Sequence, residues 1–112
     1  LGIDPENISA RNNLANLLLK QGNAPAAIEQ YERILELDSR YIKGYNNLGI
    51  AYLTGGDAAR ALRAYEKAKR LQPEDPEAYY NTALLYRRRG EEREAAAEMA
   101  RYRELVDGRA KQ

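Results

Sequence analysis

Cysteine and histidine are both missing from this 112-residue chain, and each absence closes a class of chemistry. Without cysteine there is no disulfide, no thiol nucleophile and no thiolate metal site, while the redox compartment stays open. Without histidine the commonest general base and metal ligand is gone. Serine stands only at Ser9 and Ser39, with no imidazole to activate either hydroxyl. No run of about 18 apolar residues is present, and no apolar segment of the signal-peptide kind, so no membrane insertion is expected. Net charge is only +1, which gives no global field toward nucleic acid. Glycine-rich phosphate loops are also absent; Gly55-Gly56 reads as a turn between helices. The carboxylate pairs Glu74/Asp75 and Glu91/Glu92 sit where helices begin and complement the helix dipole. The sequence therefore predicts a protein that is not an enzyme and needs no cofactor or metal.

What the chain does contain is a period of 34 residues. Tyr45, Leu48, Gly49, Tyr52, Gly56, Ala61, Tyr65, Ala68 and Pro73 set the pattern in the middle third. Upstream, the matching positions hold Arg11, Leu14, Ala15, Leu18, Gly22, Ala27, Tyr31, Ile34 and Ser39. Downstream they hold Tyr79, Thr82, Ala83, Tyr86, Gly90, Ala95, Met99, Tyr102 and Asp107. A fixed period of about 20–50 residues marks a solenoid, whose units bury their apolar faces against one another.

Each unit reads as two helices. In the middle unit Tyr45, Leu48, Gly49 and Tyr52 share one face of a 3.6-residue helix, and Gly55-Gly56-Asp57 breaks it and caps the next. Ala61, Leu62, Tyr65, Ala68 and Leu71 form the second stripe. Pro73 stops that helix and Asp75-Pro76 starts another. The predicted helices are 8–21, 24–37, 42–55, 58–71, 76–89 and 92–106, an all-α chain of three hairpins.

The aromatic, Leu-Gly, Tyr, Ala-x-x-x-aromatic, Pro spacing resembles the tetratricopeptide repeat (TPR) family over residues 8–109. That resemblance implies a right-handed α-solenoid of repeats 8–41, 42–75 and 76–109. It also implies close approach of paired helices at Ala15, Gly49 and Ala83 and at Ala27, Ala61 and Ala95. Residues 1–7 match the tail of a repeat, with Ile3 at the place of Leu71 and Pro5 at that of Pro73. An array continuing upstream is the expectation. The third unit departs from the pattern at Met99, Tyr102 and Arg103, which points to a polar, C-terminal capping repeat.

In such proteins the first helix of each hairpin lines a concave groove that binds a peptide segment of a partner protein. The resemblance places Asn12, Asn13, Asn16 and Leu19 in that groove from the first repeat. Lys43, Asn46, Asn47, Ile50 and Leu53 come from the second, and Tyr80, Asn81, Leu84, Arg87 and Arg88 from the third. Asn13, Asn47 and Asn81 form a column one period apart. An amide offers both donor and acceptor, so the column can hold a peptide backbone as an asparagine ladder, or brace neighbouring helices instead. Leu19, Ile50, Leu53 and Leu84 offer apolar contact.

Arg87 and Arg88 can meet an acidic or phosphorylated segment; the competing reading is solvated charge neutralised by Glu91, Glu92 and Glu94. The carboxylate clamp of TPR co-chaperones is not expected. It needs lysine at 12 and 77 and arginine at 81, where this chain has Asn12, Glu77 and Asn81. Nucleic acid is not expected, since no basic stripe is evident although residues 42–75 carry 6 basic and 4 acidic groups. The alternative function is assembly, with repeats stacking or swapping between copies to form a homo-oligomer. A soluble, by default cytoplasmic, protein is expected.

Overall fold

The structure, a computed structural model, describes residues 5–110, with side chains from 7 to 108. Six helices follow one another: α1 (Pro5–Lys20), α2 (Ala24–Leu37), α3 (Ile42–Thr54), α4 (Ala58–Leu71), α5 (Pro76–Arg88) and α6 (Glu92–Ala110). The all-α array of three hairpins agrees with the sequence reading. Residues 1–4, most of the segment matched to a repeat tail, lie outside the described residues.

Two boundaries differ from expectation by more than one residue. Helix α1 starts at Pro5, three residues early, because proline at a first helical position loses only an N–H that has no partner there. Helix α6 runs four residues past 106 because Asp107 stands where Pro73 would break it.

The three hairpin turns are built alike. Gly22, Gly56 and Gly90 adopt φ of 81°, 88° and 76°, a left-handed conformation that favours glycine. The following N–H groups of Asn23, Asp57 and Glu91 reach back to Leu18, Tyr52 and Tyr86 carbonyls at 2.9, 2.8 and 2.9 Å. This satisfies carbonyls that the helix end would otherwise strand. Asn23 and Asp57 then accept from Ala26 and Arg60 N–H at 3.3 and 3.0 Å, starting the second helices. The links between hairpins also repeat: Tyr45 donates its hydroxyl to the Ser39 carbonyl at 2.8 Å, and Tyr79 to that of Pro73 at 3.0 Å.

The small residues are buried as the pattern requires, including Ala15, Ala27, Ala61, Ala83 and Ala95. At Gly49, however, the tight neighbour is an aromatic ring and not the alanine expected. A Cβ there would lie 2.7 Å from Tyr65 Cδ1 and 2.9 Å from Cζ. Tyr31, Ile34 and Leu48 pack with Ala15, Ala27 and Ala51 between the first two hairpins. Tyr65 and Leu85 join Ala61 in a second cluster that Ile50, Leu53 and Tyr86 flank.

Candidate functional site: the face of the first helices

Curvature follows from which helices touch. The backbones of α1 and α3, and of α3 and α5, approach closely, while among the described residues those of α2 and α4, and of α4 and α6, do not. The array therefore closes on the side of α1, α3 and α5 and opens on the other. The closed side is the candidate groove.

Asn47 donates Nδ2 to Asn12 Oδ1 at 3.3 Å, and Asn81 donates Nδ2 to Asn46 Oδ1 at 3.4 Å. Both rungs bridge first helices of adjacent repeats. Among the described residues no protein donor reaches Oδ1 of Asn47 or of Asn81, and Asn13 stands exposed with neither end of its amide engaged. Leu19, Ile50, Leu53 and Leu84 are all half-buried along the same helices.

Three predicted groove residues are placed differently. Asn46 is fully buried and not on the groove surface, because α5 covers it. Its Oδ1 takes the Asn81 bond, and its Nδ2 has no partner among the described residues. Asn16 is half-buried and accepts the Tyr31 hydroxyl, so its carbonyl serves the core of the first hairpin. Tyr80 meets no following first helix; it is exposed and packs at 5.1 Å on the ring of Tyr102 in α6. A single helix's pattern does not report what the next helix covers, and that information separates Asn46 from Tyr80.

The cations predicted for this face, Lys43, Arg87 and Arg88, are all exposed. The expected neutralisation of the arginines by Glu91, Glu92 and Glu94 does not form. Glu91 instead takes Arg89 at 2.8 Å, and among the described residues Arg87 and Arg88 have no ion pair. Glu77 keeps solvent contact, yet the protein around it desolvates the carboxyl and raises its pKa; Asp75 adds to the rise and Lys43 opposes it. Burial pushes the Tyr31 and Tyr65 phenols up to about 12.

Sequence reasoning missed a feature on the opposite side. Arg60, Arg63, Lys67 and Arg70 recur at offsets of three and four and so share one face of α4. The chain does carry a basic stripe, contrary to the expectation above.

The chain matches the tetratricopeptide repeat family over residues 6–74 and again over 46–110. No curated protein matches it. Among solved structures it is similar to MamA, with 28% identity and a TM-score of 0.86 over 94% of this chain and 61% of that one. It is also similar to the Yersinia enterocolitica type III secretion chaperone SycD in complex with a peptide of the translocator YopD. That match has 19% identity and a TM-score of 0.85, covering 93% of this chain and 79% of SycD. A third is the TPR2AB domain of yeast Sti1 in complex with pHSP90, at 18% identity and a TM-score of 0.85, covering 92% and 40% of the two chains. The chain thus spans about three fifths of the MamA chain it resembles. Among the described residues no helix is long and apolar enough to cross a membrane.

Proposed function

The chain belongs to the tetratricopeptide repeat family, and on that premise we propose that it is a non-catalytic scaffold that binds an extended peptide segment of a partner protein. The segment lies along α1, α3 and α5. The observation that carries this reading is the pair of amide rungs at Asn47 and Asn81. Each spends its donor on the neighbouring repeat and keeps Oδ1 available, so each would accept a backbone N–H of the ligand. Leu19, Ile50, Leu53 and Leu84 would bury alternate side chains, and Lys43, Arg87 and Arg88 favour acidic residues at the edges. SycD, similar in fold, was solved with a peptide of YopD, and the Sti1 domain in a complex with pHSP90, which supports a protein segment as the ligand class.

The test is selection of a random peptide library on the chain, followed by affinity measurement on an Ile50→Ser, Leu84→Ser variant. Peptides that bind the variant as tightly as the parent, with its fold intact by circular dichroism, would remove the groove from the function.

A second reading, assembly, has its own observation. Leu14 and Leu17 are 44% and 52% exposed, while their equivalents one period on, Leu48 and Ala51, are 8% and 0% exposed. The face of the first hairpin is therefore an open stacking surface suited to another helical hairpin, from the same chain or a second copy. Sedimentation of the parent against Leu17→Glu separates stacking from a strictly monomeric chain.

A further inference from the structure

The cleft on the open side, between α2 and α4, is a second surface. We propose that it binds an acidic protein segment carrying a large apolar side chain. Its floor is α3: Tyr45, Leu48 and Tyr52 line a notch of about 270 Å³ together with Ala64. A second notch of about 400 Å³ continues it toward α2 and shares Tyr52 and Arg60 with the first. The wall is the α4 stripe.

Comparison with the next cleft of the same chain shows why this one stays open. Between α4 and α6, Glu98 occupies the place of Ala64. Its carboxylate crosses to Lys69 at 2.8 Å, and that ammonium sits 4.9 Å from the Tyr79 ring. Arg101, at the place of Lys67, covers the same ring at 5.9 Å. The second cleft is thus closed by its own side chains. In the first, Ala64 sends nothing across and Leu35 stands where Lys69 would answer.

Charge is confined to this one cleft as well. The register that gives Arg60, Arg63, Lys67 and Arg70 on α4 gives Ala26, Glu29, Arg33 and Glu36 on α2, and Glu94, Ala97, Arg101 and Glu104 on α6. Those two helices alternate in sign and pair internally, as Arg33–Glu36 and Arg101–Glu104 do. Of the four cations in the α4 stripe, only Arg60 has a partner among the described residues, Asp57 at 3.5 Å. Arg63 and Lys67 line the notch beside Tyr45, Leu48 and Tyr52 and, like Arg70 further along α4, have no ion pair among the described residues, which complements carboxylates flanking an inserted side chain. Glu32 and Asp57 at the far end of the cleft would repel a continuous phosphate backbone. An acidic segment with its charge over α4 and its apolar residue in the notch meets both conditions. This surface is independent of the groove on α1, α3 and α5.

The test uses a fluorescein-labelled peptide of glutamates around a central leucine pair, read by anisotropy. The controls are the same peptide with serines for leucines and an oligothymidylate of equal charge. The leucine peptide should bind the parent, weaken with salt, and lose roughly tenfold or more in affinity on the Arg63→Glu, Lys67→Glu variant. Ala64→Gln should abolish the preference for leucine over serine by filling the notch. A loss in Arg88→Glu with none in the double variant would place the peptide in the groove of α1, α3 and α5 and overturn the proposal, so failure here and failure of the groove are distinguishable. Equal binding of the serine peptide or the oligothymidylate would overturn the proposal in favour of a bare charge patch. An unchanged affinity in the double variant would also overturn it, and so would self-association that the double variant abolishes, which would make the occupant a second copy.

Discussion

Asn47 on α3 reaches Asn12 on α1, 35 positions earlier, through Nδ2···Oδ1 at 3.3 Å, and Asn81 makes the same contact with Asn46 one period later. Asparagine side chains thus tie the first helices together, and Oδ1 of Asn47 and of Asn81 accepts no bond among the described residues. The two readings of an asparagine column, brace and ladder, use different ends of the same amide and are compatible.

Asn47→Ala is therefore expected to do two things at once. Removing the donor leaves Asn12 without its partner and should cost about 0.5–1.5 kcal/mol of stability. Removing Oδ1 takes away one ligand hydrogen bond, a further loss of about 2- to 10-fold in peptide affinity. Thermal melts and peptide titration on the same variant check both. A drop in stability with unchanged affinity would leave the column as a brace alone.

Gly49→Ala should destabilise the middle hairpin even though alanine is the better helix former by about 1 kcal/mol. The new methyl would press into the Tyr65 ring, which is itself fully buried and has no room to retreat. Overpacking of this kind typically costs about 1–3 kcal/mol. Gly49→Ala combined with Tyr65→Leu should recover part of the loss. A melting temperature that rises in the single variant would show that Tyr65 yields.

The period carried most of the fold. Fixed recurrence of Gly22, Gly56 and Gly90 put three turns in the right places, and six helices followed. Exposure at the candidate site was legible only where one helix decides the outcome, as for Lys43 and Arg88. It was not where a neighbouring helix intervenes: α5 buries Asn46, Tyr31 claims Asn16, and Tyr102 takes Tyr80. The cleft at Ala64 was invisible for the same reason. Its openness depends on what Glu98 does one period later, a comparison between joints that no single repeat displays.

Alkaline pH should unfold the chain through its core tyrosines. Tyr31 and Tyr65 are raised from 10.0 to about 12 by burial, so folding favours the neutral phenol. A folded pKa above the unfolded one gives stability that is complete below pH 10.0 and is lost as pH climbs toward about 12. The loss is on the order of 2 kcal/mol for each phenol. Denaturant midpoints measured across that range should fall, and Tyr65→Phe should flatten the slope. Tyr31→Phe should flatten it too, but from a lower start, because Asn16 loses its donor. A pH-independent midpoint would mean that both hydroxyls reach solvent.

Leu14 and Leu48 occupy one template position in successive repeats, yet alanine should affect them very differently. Leu48 is 8% exposed and packs among Ile34, Ala51 and Tyr52 at the joint between hairpins, whereas Leu14 is 44% exposed. Truncating the buried leucine leaves a cavity and should cost about 2–5 kcal/mol. Truncating the exposed one removes little buried area, so the dilute chain should lose no more than about 0.5 kcal/mol. The contrast also reports on assembly. If the face around Leu14 and Leu17 stacks on another hairpin, the Leu14→Ala cost should rise with protein concentration, since binding adds stability by mass action. Chemical melts of both variants at low and high concentration supply the comparison. Equal costs in dilute solution would mean that the first hairpin is covered from within the chain, and the open stacking face would then not exist.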